Sequence, residues 1–173
     1  FDAHTDLLPS RLGIPICFGS WAYHILKLLP TPKNLIQIGI RSSGKNKKHW
    51  ESTLGIKQIW AKEVKQKGIE KLYKEISLSL RKLNVKNIYI SFDIDALDSL
   101  FASATGTPEK EGLALHEAIS LIRDLCQEFN LTGCDLVEVA PYISHGNTFT
   151  HEPWQTLQSS KLILESFLDG FNQ

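Results

Sequence analysis

The chain has 173 residues, 42% of them hydrophobic and 22% charged, and its 19 basic side chains balance 19 acidic ones. That length supports one domain with a real core, and zero net charge offers nothing to attract nucleic acid or an anionic membrane. No apolar run approaches the roughly 18 residues a bilayer span needs, and no basic stretch leads into an apolar one as in a secretory signal.

Phe1-Asp2-Ala3-His4-Thr5-Asp6 opens the chain with a potential ligand at every second position from Asp2. In extended backbone such residues face one way. The chain starts inside this motif with Phe1 and has no methionine. The expectation is therefore a single domain over residues 1–173 that is the C-terminal portion of a longer chain. A parallel sheet cut at Phe1 would expose apolar surface, so residues 1–173 are not expected to fold alone as a stable enzyme.

Ser20 to Leu29 reads as a short helix ended by Pro30 and Pro32. Leu35-Ile36-Gln37-Ile38-Gly39-Ile40 reads as a buried strand, and Ser42 to Lys48 as a polar loop, either a solvated connection or a contact for an anionic substrate group. Ile56 to Trp60 is a weaker strand. From Gly68 to Leu83, Ile69, Leu72, Ile76, Leu80 and Leu83 recur at helical spacing. Ile88 to Phe92 is a second clear strand. Leu115 to Phe129 is a helix with Ala118, Ile119, Ile122, Leu125, Cys126 and Phe129 inward, stopped by Asn130. Leu136 to Val139 reads as a strand, and Trp154 to Leu168 as a last helix with Leu157, Leu164 and Leu168 inward. This alternation predicts an α/β fold of three layers, α/β/α, with a mainly parallel central sheet. Function in such sheets gathers at the strands' carboxyl ends. Cys17, Cys126 and Cys134 form no Cys-x-x-Cys pair, which fits inert thiols in a reducing cytoplasm.

Asp93 and Asp95 follow a strand, with Asp98 after them in Ser91-Phe92-Asp93-Ile94-Asp95-Ala96-Leu97-Asp98. Carboxylates this close repel, and at least one pKa should rise unless a divalent cation removes the conflict. Carboxylates with one imidazole suit Mn²⁺, with Zn²⁺, Fe²⁺ or Co²⁺ also open on ligand type. Glu138 sits near a strand end before Pro141, either toward a site or paired with an internal Arg or Lys.

The pair of acidic segments resembles the Asp-Ala-His-x-Asp and Ser-x-Asp-x-Asp-x-x-Asp signatures of the ureohydrolase family (arginase, agmatinase and formimidoylglutamase). Gly39-Ile40-Arg41, Gly106-Thr107-Pro108 with Gly112-Leu113, and Val137-Glu138-Val139-Ala140-Pro141 are similar to further segments of that family, in the same order. The resemblance implies a Mn²⁺-dependent hydrolase of linear amidine or guanidino C–N bonds. Its two ions per subunit would be bridged by a hydroxide, and urea would be a product. It also implies a small guanidino or amidino substrate and a homo-oligomer, trimer or hexamer. By motif, Asp2 and Asp93 would bridge the ions, His4 and Asp95 would complete one, and Asp6 would bind the other and orient the nucleophile. Glu138 would face the substrate's guanidinium.

Two departures stand out. No Gly-Gly-x-His segment is present to supply the family's remaining histidine ligand. Where many members carry His-Gly, this chain has Phe18-Gly19, and Phe18 cannot carry a proton to the leaving amine. His145 and His151, which flank a loop soon after Glu138, and His24 on the helix after Gly19 are the histidines that could substitute, and His145 is also a candidate substrate contact. His49 and His116 read as surface helix residues. The alternatives are a formimidoylglutamase-like hydrolase and a catalytically impaired relative retained for binding or regulation.

Overall fold

The computed structural model describes residues 1–142, 144–145, 148–149 and 153–172, with 144–145 and 148–149 described by backbone alone. Its sheet is assembled around the first residues of the chain. Phe1 donates from its α-ammonium to Ser91 O at 2.7 Å, and Asp93 N–H donates to Phe1 O at 3.0 Å. On the other side Asp2 N–H donates to Ile38 O at 3.0 Å, and the N–H groups of Arg41 and Ser42 both donate to Ala3 O at 2.9 Å. Strand β1 (Ile36–Ile40) and strand β3 (Asn87–Asp93) therefore flank the extended segment 1–4. β2 (Lys57–Trp60) pairs in parallel with β1, and β4 (Asn130–Val137) in parallel with β3. The Phe1 ring stacks on Phe92 with centroids 5.0 Å apart.

Gly39 lies between Asp2 and the core. Its φ is +102°, and a Cβ there would come within 3.1 Å of Asp2 O. Only glycine takes this conformation without strain.

Helices cover both faces. α3 (Ala61–Lys67), α4 (Ile69–Lys82), α5 (Leu115–Glu128) and α6 (Pro153–Phe171) follow in chain order. Leu72, Ile76 and Leu80 of α4 and Leu121, Ile122 and Leu125 of α5 join Ile38, Ile90 and Phe92 in the main core. α1 (Trp21–Ile25) and α2 (Lys47–Leu54) contribute to a smaller cluster with Leu7, Leu35 and Ile56. Leu35 and Ile36 fall in different clusters because successive side chains point to opposite faces.

Several sequence expectations shift. The Ser20–Leu29 helix contracts to Trp21–Ile25. The polar loop ends early, because Asn46 caps α2 by accepting from His49 N–H at 2.9 Å. Asn130 is not a helix stop but the first residue of β4, and α5 runs into that strand through extended Phe129. β4 ends at Val137, so Glu138 lies beyond the strand.

The largest correction concerns α6. Leu157, Leu164 and Leu168 are 36%, 46% and 62% exposed, while Thr156, Ser159, Ser160, Ile163, Ser166, Phe167 and Gly170 face inward. The hydroxyls can be buried because each has a partner. Ser159 donates to Phe101 O at 2.9 Å, Ser160 to Thr156 O at 2.8 Å and Ser166 to Ile163 O at 2.7 Å. Thr156 Oγ1 accepts from Ala104 N–H at 3.0 Å. Small residues also permit close approach, since a Cβ on Gly170 would lie 2.7 Å from Cys126 Sγ.

Arg41, just past β1, ties two loops together. Its Nη2 donates to Asp95 O, Leu97 O and Glu109 O at 2.7, 2.9 and 2.9 Å, and its Nε donates to Lys110 O at 2.8 Å. Gly112 lies against this clasp. A Cβ there would fall 2.5 Å from Asp98 N and 2.6 Å from Arg41 Nη2. The Gly112→Ala variant should therefore lose at least about 1 kcal/mol of stability through overpacking. Gly44→Ala, with nothing within 4 Å of the added carbon, should be close to neutral. Urea unfolding of the two variants checks the contrast, and equal midpoints would refute it.

Candidate metal centre

The carboxyl ends of the segment 1–4 and of β3 emerge side by side. β3 turns at once into a 3-10 turn, Ile94–Ala96, capped by Asp93, whose Oδ1 accepts Asp95 N–H at 2.9 Å. The alternate-residue argument for this pair is therefore corrected: the tight turn, not extended chain, presents Asp95. Its Oδ1 accepts Ala3 N–H at 3.1 Å, and its Oδ2 lies 3.0 Å from His4 Nδ1 and accepts the Thr107 hydroxyl at 3.2 Å. Asp2 Oδ1 accepts His4 N–H at 2.6 Å and lies 3.6 Å from His4 Nδ1. One ligand atom from each of Asp2, His4 and Asp95 lies within 4.8 Å of the others.

Asp6 borders this group. Its φ of +49° breaks the extended line, so strand alternation does not extend to it. The Trp21 indole N–H holds its Oδ2 at 2.8 Å.

The charges are in conflict. Burial, then the charges of Asp95 and Asp2, push Asp93 up to about 9. Burial, then Asp2, pushes Asp6 up to about 7, and burial also raises Asp2. Hydrogen bonds that the His4 ring donates to the carboxylates of Asp2 and Asp95 raise it to about 10. Burial opposes ionisation of Asp95 as well, but His4 and the Ala3 N–H outweigh it and hold that carboxyl low. Without a cation the site must keep protons on its own acids. Buried carboxylate oxygens, one imidazole and this unrelieved repulsion fit a divalent ion of the Mn²⁺ type.

Glu138 stands one residue past Val137, the partner of Asp93 in the sheet, with φ +61°. Its carboxylate is exposed and lies over Gly106, whose added Cβ would be 3.2 Å from Glu138 Oε2. Among the described residues it has no ion-pair partner, so the reading of an internal Arg or Lys pair does not hold. Asp98 accepts from Leu100 and Gly112 N–H at 3.0 and 3.1 Å, which assigns it to loop structure. His24 Nε2 faces the carbonyls of Pro9 and Pro15 at 3.2 and 2.5 Å, and His49 and His116 are exposed on α2 and α5. The side chain of His145, and all of His151, lie outside the described residues. Phe18 is 64% exposed.

Sequence reasoning missed Trp21, Thr107 and Glu109, whose Oε1 is 3.6 Å from His4 Nε2. Thr107 lay within a noted glycine-rich stretch, but nothing in its local pattern marked it as a partner of Asp95.

A family model described as Arginase family matches residues 1–158. The chain is 39% identical over 151 residues to a mitochondrial guanidino acid hydrolase of Homo sapiens, covering 85% of this chain and 42% of that protein. It is 37% identical over 152 residues to a guanidinobutyrase of Pseudomonas aeruginosa, covering 85% and 46%. The chain thus spans less than half the length of these two relatives. The crystal structure of formimidoylglutamase from Bacillus subtilis superposes with a TM-score of 0.81 at 25% identity, covering 98% of this chain and 51% of that one.

A metal ion must displace the protons that Asp93, at about 9, and His4, at about 10, hold near neutrality. Mn²⁺ affinity of the full chain should therefore rise from pH 6 to pH 8.5, with release of about one proton or more per binding event. Calorimetry in buffers of different ionisation enthalpy measures this. A buffer-independent heat with flat affinity would contradict it.

Proposed function

The chain belongs to the arginase family, and from that premise we propose that it hydrolyses a C–N bond of a small guanidino compound, releasing urea, with Mn²⁺ as its metal. The observation that carries this reading is the convergence of one ligand atom from each of Asp2, His4 and Asp95 within 4.8 Å, with Glu138, which has no ion-pair partner among the described residues, just past the end of the strand beside β3. Asp2, His4, Asp93 and Asp95 would hold one ion, and Asp2, Asp93 and Asp6 would share in a second. When bound, such ions bring the pKa of water toward about 7 and so supply a nucleophile at neutral pH.

The chain's own residues do the rest. Glu138 offers two oxygens to the parallel N–H groups of a guanidinium and orients its carbon toward the acidic cluster. Asp6, with Oδ2 fixed by Trp21, would use its other oxygen to align a water at the centre. Thr107 and Ala3 hold Asp95 in place. The leaving amine needs a proton, and neither Phe18 nor His24, which faces two proline carbonyls, is arranged to supply it. His145 is the proposed substrate contact, and His145 and His151 are the candidate donors.

Phe18 and the formimidoylglutamase likeness favour a second reading, hydrolysis of a formimino group with release of formamide. Three unpaired thiols among the described residues fit a reducing compartment such as the cytoplasm. Among the described residues no helix is long and apolar enough to cross a membrane.

The Mn²⁺-loaded full chain should release urea from at least one of arginine, agmatine, 4-guanidinobutyrate and 3-guanidinopropionate. Formamide from formiminoglutamate alone would select the second reading. Loaded protein inactive on all five would favour a binding or regulatory relative. Asp95→Asn should lose most bound metal, measured by elemental analysis, together with urea release; full retention of both would remove the proposed centre. Glu138→Gln should keep its metal and lose at least about tenfold in kcat/KM, as expected for a charge-assisted pair.

A further inference from the structure

The loop held by Arg41 brings a further carboxylate to the side of His4 that turns away from the acidic centre. The Nδ1 side of the ring is held by the centre itself, 3.0 Å from Asp95 Oδ2 and 3.6 Å from Asp2 Oδ1. The opposite ring nitrogen, Nε2, lies 3.6 Å from Glu109 Oε1, within ion-pair reach. The main chain that carries Glu109 is fixed. Its carbonyl accepts Ser99 N–H at 3.1 Å and Arg41 Nη2 at 2.9 Å, and the next carbonyl, Lys110 O, accepts Arg41 Nε at 2.8 Å. The same Arg41 Nη2 donates to Asp95 O at 2.7 Å. One guanidinium therefore sets the spacing between the backbone of a proposed metal ligand and the backbone of Glu109. This carboxylate has no place in the proposed ligand set.

We propose that Glu109 is a positioning residue for the metal centre: it accepts the Nε2 proton of His4 and so holds the imidazole with Nδ1 turned to the ion. The inference rests on the proposed Mn²⁺ centre and adds an outer carboxylate to it. A neutral imidazole binds a cation through the nitrogen that carries no proton. With Nδ1 committed to the centre, the remaining ring proton sits on Nε2 and needs an acceptor. Among the described residues, Glu109 presents a carboxylate to that nitrogen. An acceptor there fixes the tautomer, restrains rotation of the ring and raises the basicity of the ligating nitrogen. Without the ion the ring is held by its Nδ1 contacts to Asp2 and Asp95, so the metal-free fold does not depend on the Glu109 side chain. Thr107 and Glu109, two residues apart in one loop, then serve two different ligands. Thr107 donates to Asp95 Oδ2, and Glu109 faces His4.

The test measures Mn²⁺ affinity of the full chain through the electron paramagnetic resonance signal of free Mn²⁺, beside urea unfolding of the metal-free protein. Glu109→Ala should weaken Mn²⁺ binding at least about tenfold, the usual effect of losing the outer partner of a ligating histidine. Its metal-free unfolding midpoint should match wild type. Glu109→Gln keeps an oxygen acceptor and should recover part of the affinity. Glu111→Gln removes the same charge two residues along the loop and should bind Mn²⁺ as wild type does. Wild-type affinity in Glu109→Ala would overturn the inference. So would a loss in Glu109→Gln as deep as that in Glu109→Ala, or an equal loss in Glu111→Gln, since either would leave net charge as the whole effect. A fall in the metal-free midpoint alongside the lost affinity would make Glu109 a support of the loop and overturn it too. A wild type that binds Mn²⁺ no better than Asp95→Asn removes the proposed centre itself, and the inference with it.

Discussion

The seating of Phe1–His4 between β1 and β3 is the constraint on which the rest depends. Five backbone hydrogen bonds, two toward β3 and three on the β1 side, turn two separate strand pairs into one parallel array. They place Asp2 next to the strand that delivers Asp93, and they bring Ala3 N–H onto Asp95. Buried backbone groups left unpaired are costly, so the segment cannot slide without losing several bonds together. Its register therefore fixes which carboxylates meet.

That meeting is unfavourable in itself. Buried acids repel one another, and His4 and retained protons relieve only part of it. The surrounding structure holds them together by other means. Arg41 does not neutralise a carboxylate by direct pairing; it spends its donors on main-chain carbonyls of the Asp95–Leu97 and Glu109–Lys110 loops. Burial depresses the pKa of this guanidinium, and nearby Asp95 works against that. The clasp thus secures backbone positions while the acidic oxygens stay available to a ligand.

How much of this was legible in the sequence depended on the kind of signal. β1 and β3 showed as Ile-rich runs because buried parallel strands need apolar side chains on both faces. α4 showed as a lysine- and glutamate-flanked stripe. α6 misled because its buried face is built largely from serine, threonine and glycine around Ile163 and Phe167, with each hydroxyl partnered either within the helix or by the Phe101–Ala104 segment, while leucines lie on the exposed side. Apolar periodicity has no way to register a face of that composition. At the centre, the acids themselves were readable, but the turn at Ile94–Ala96 and the contacts of Thr107 and Glu109 were not. The turn rests on a local cap, Asp93 accepting from Asp95 N–H, while the contacts of Thr107 and Glu109 depend on residues more than ten positions apart meeting in space.

Asp6, Leu12 and Glu138 share a backbone handedness that L-residues avoid. At Asp6 and Glu138 the reversal re-aims a carboxylate as the chain leaves the sheet. The two positions most suited by backbone to asparagine or glycine are thus held by acids. A screen for thermostability would be drawn to relax them, and each such gain would erase a carboxylate to which the proposed function gives a role. In this fold, local comfort of the chain and chemical competence pull in opposite directions at the same residues.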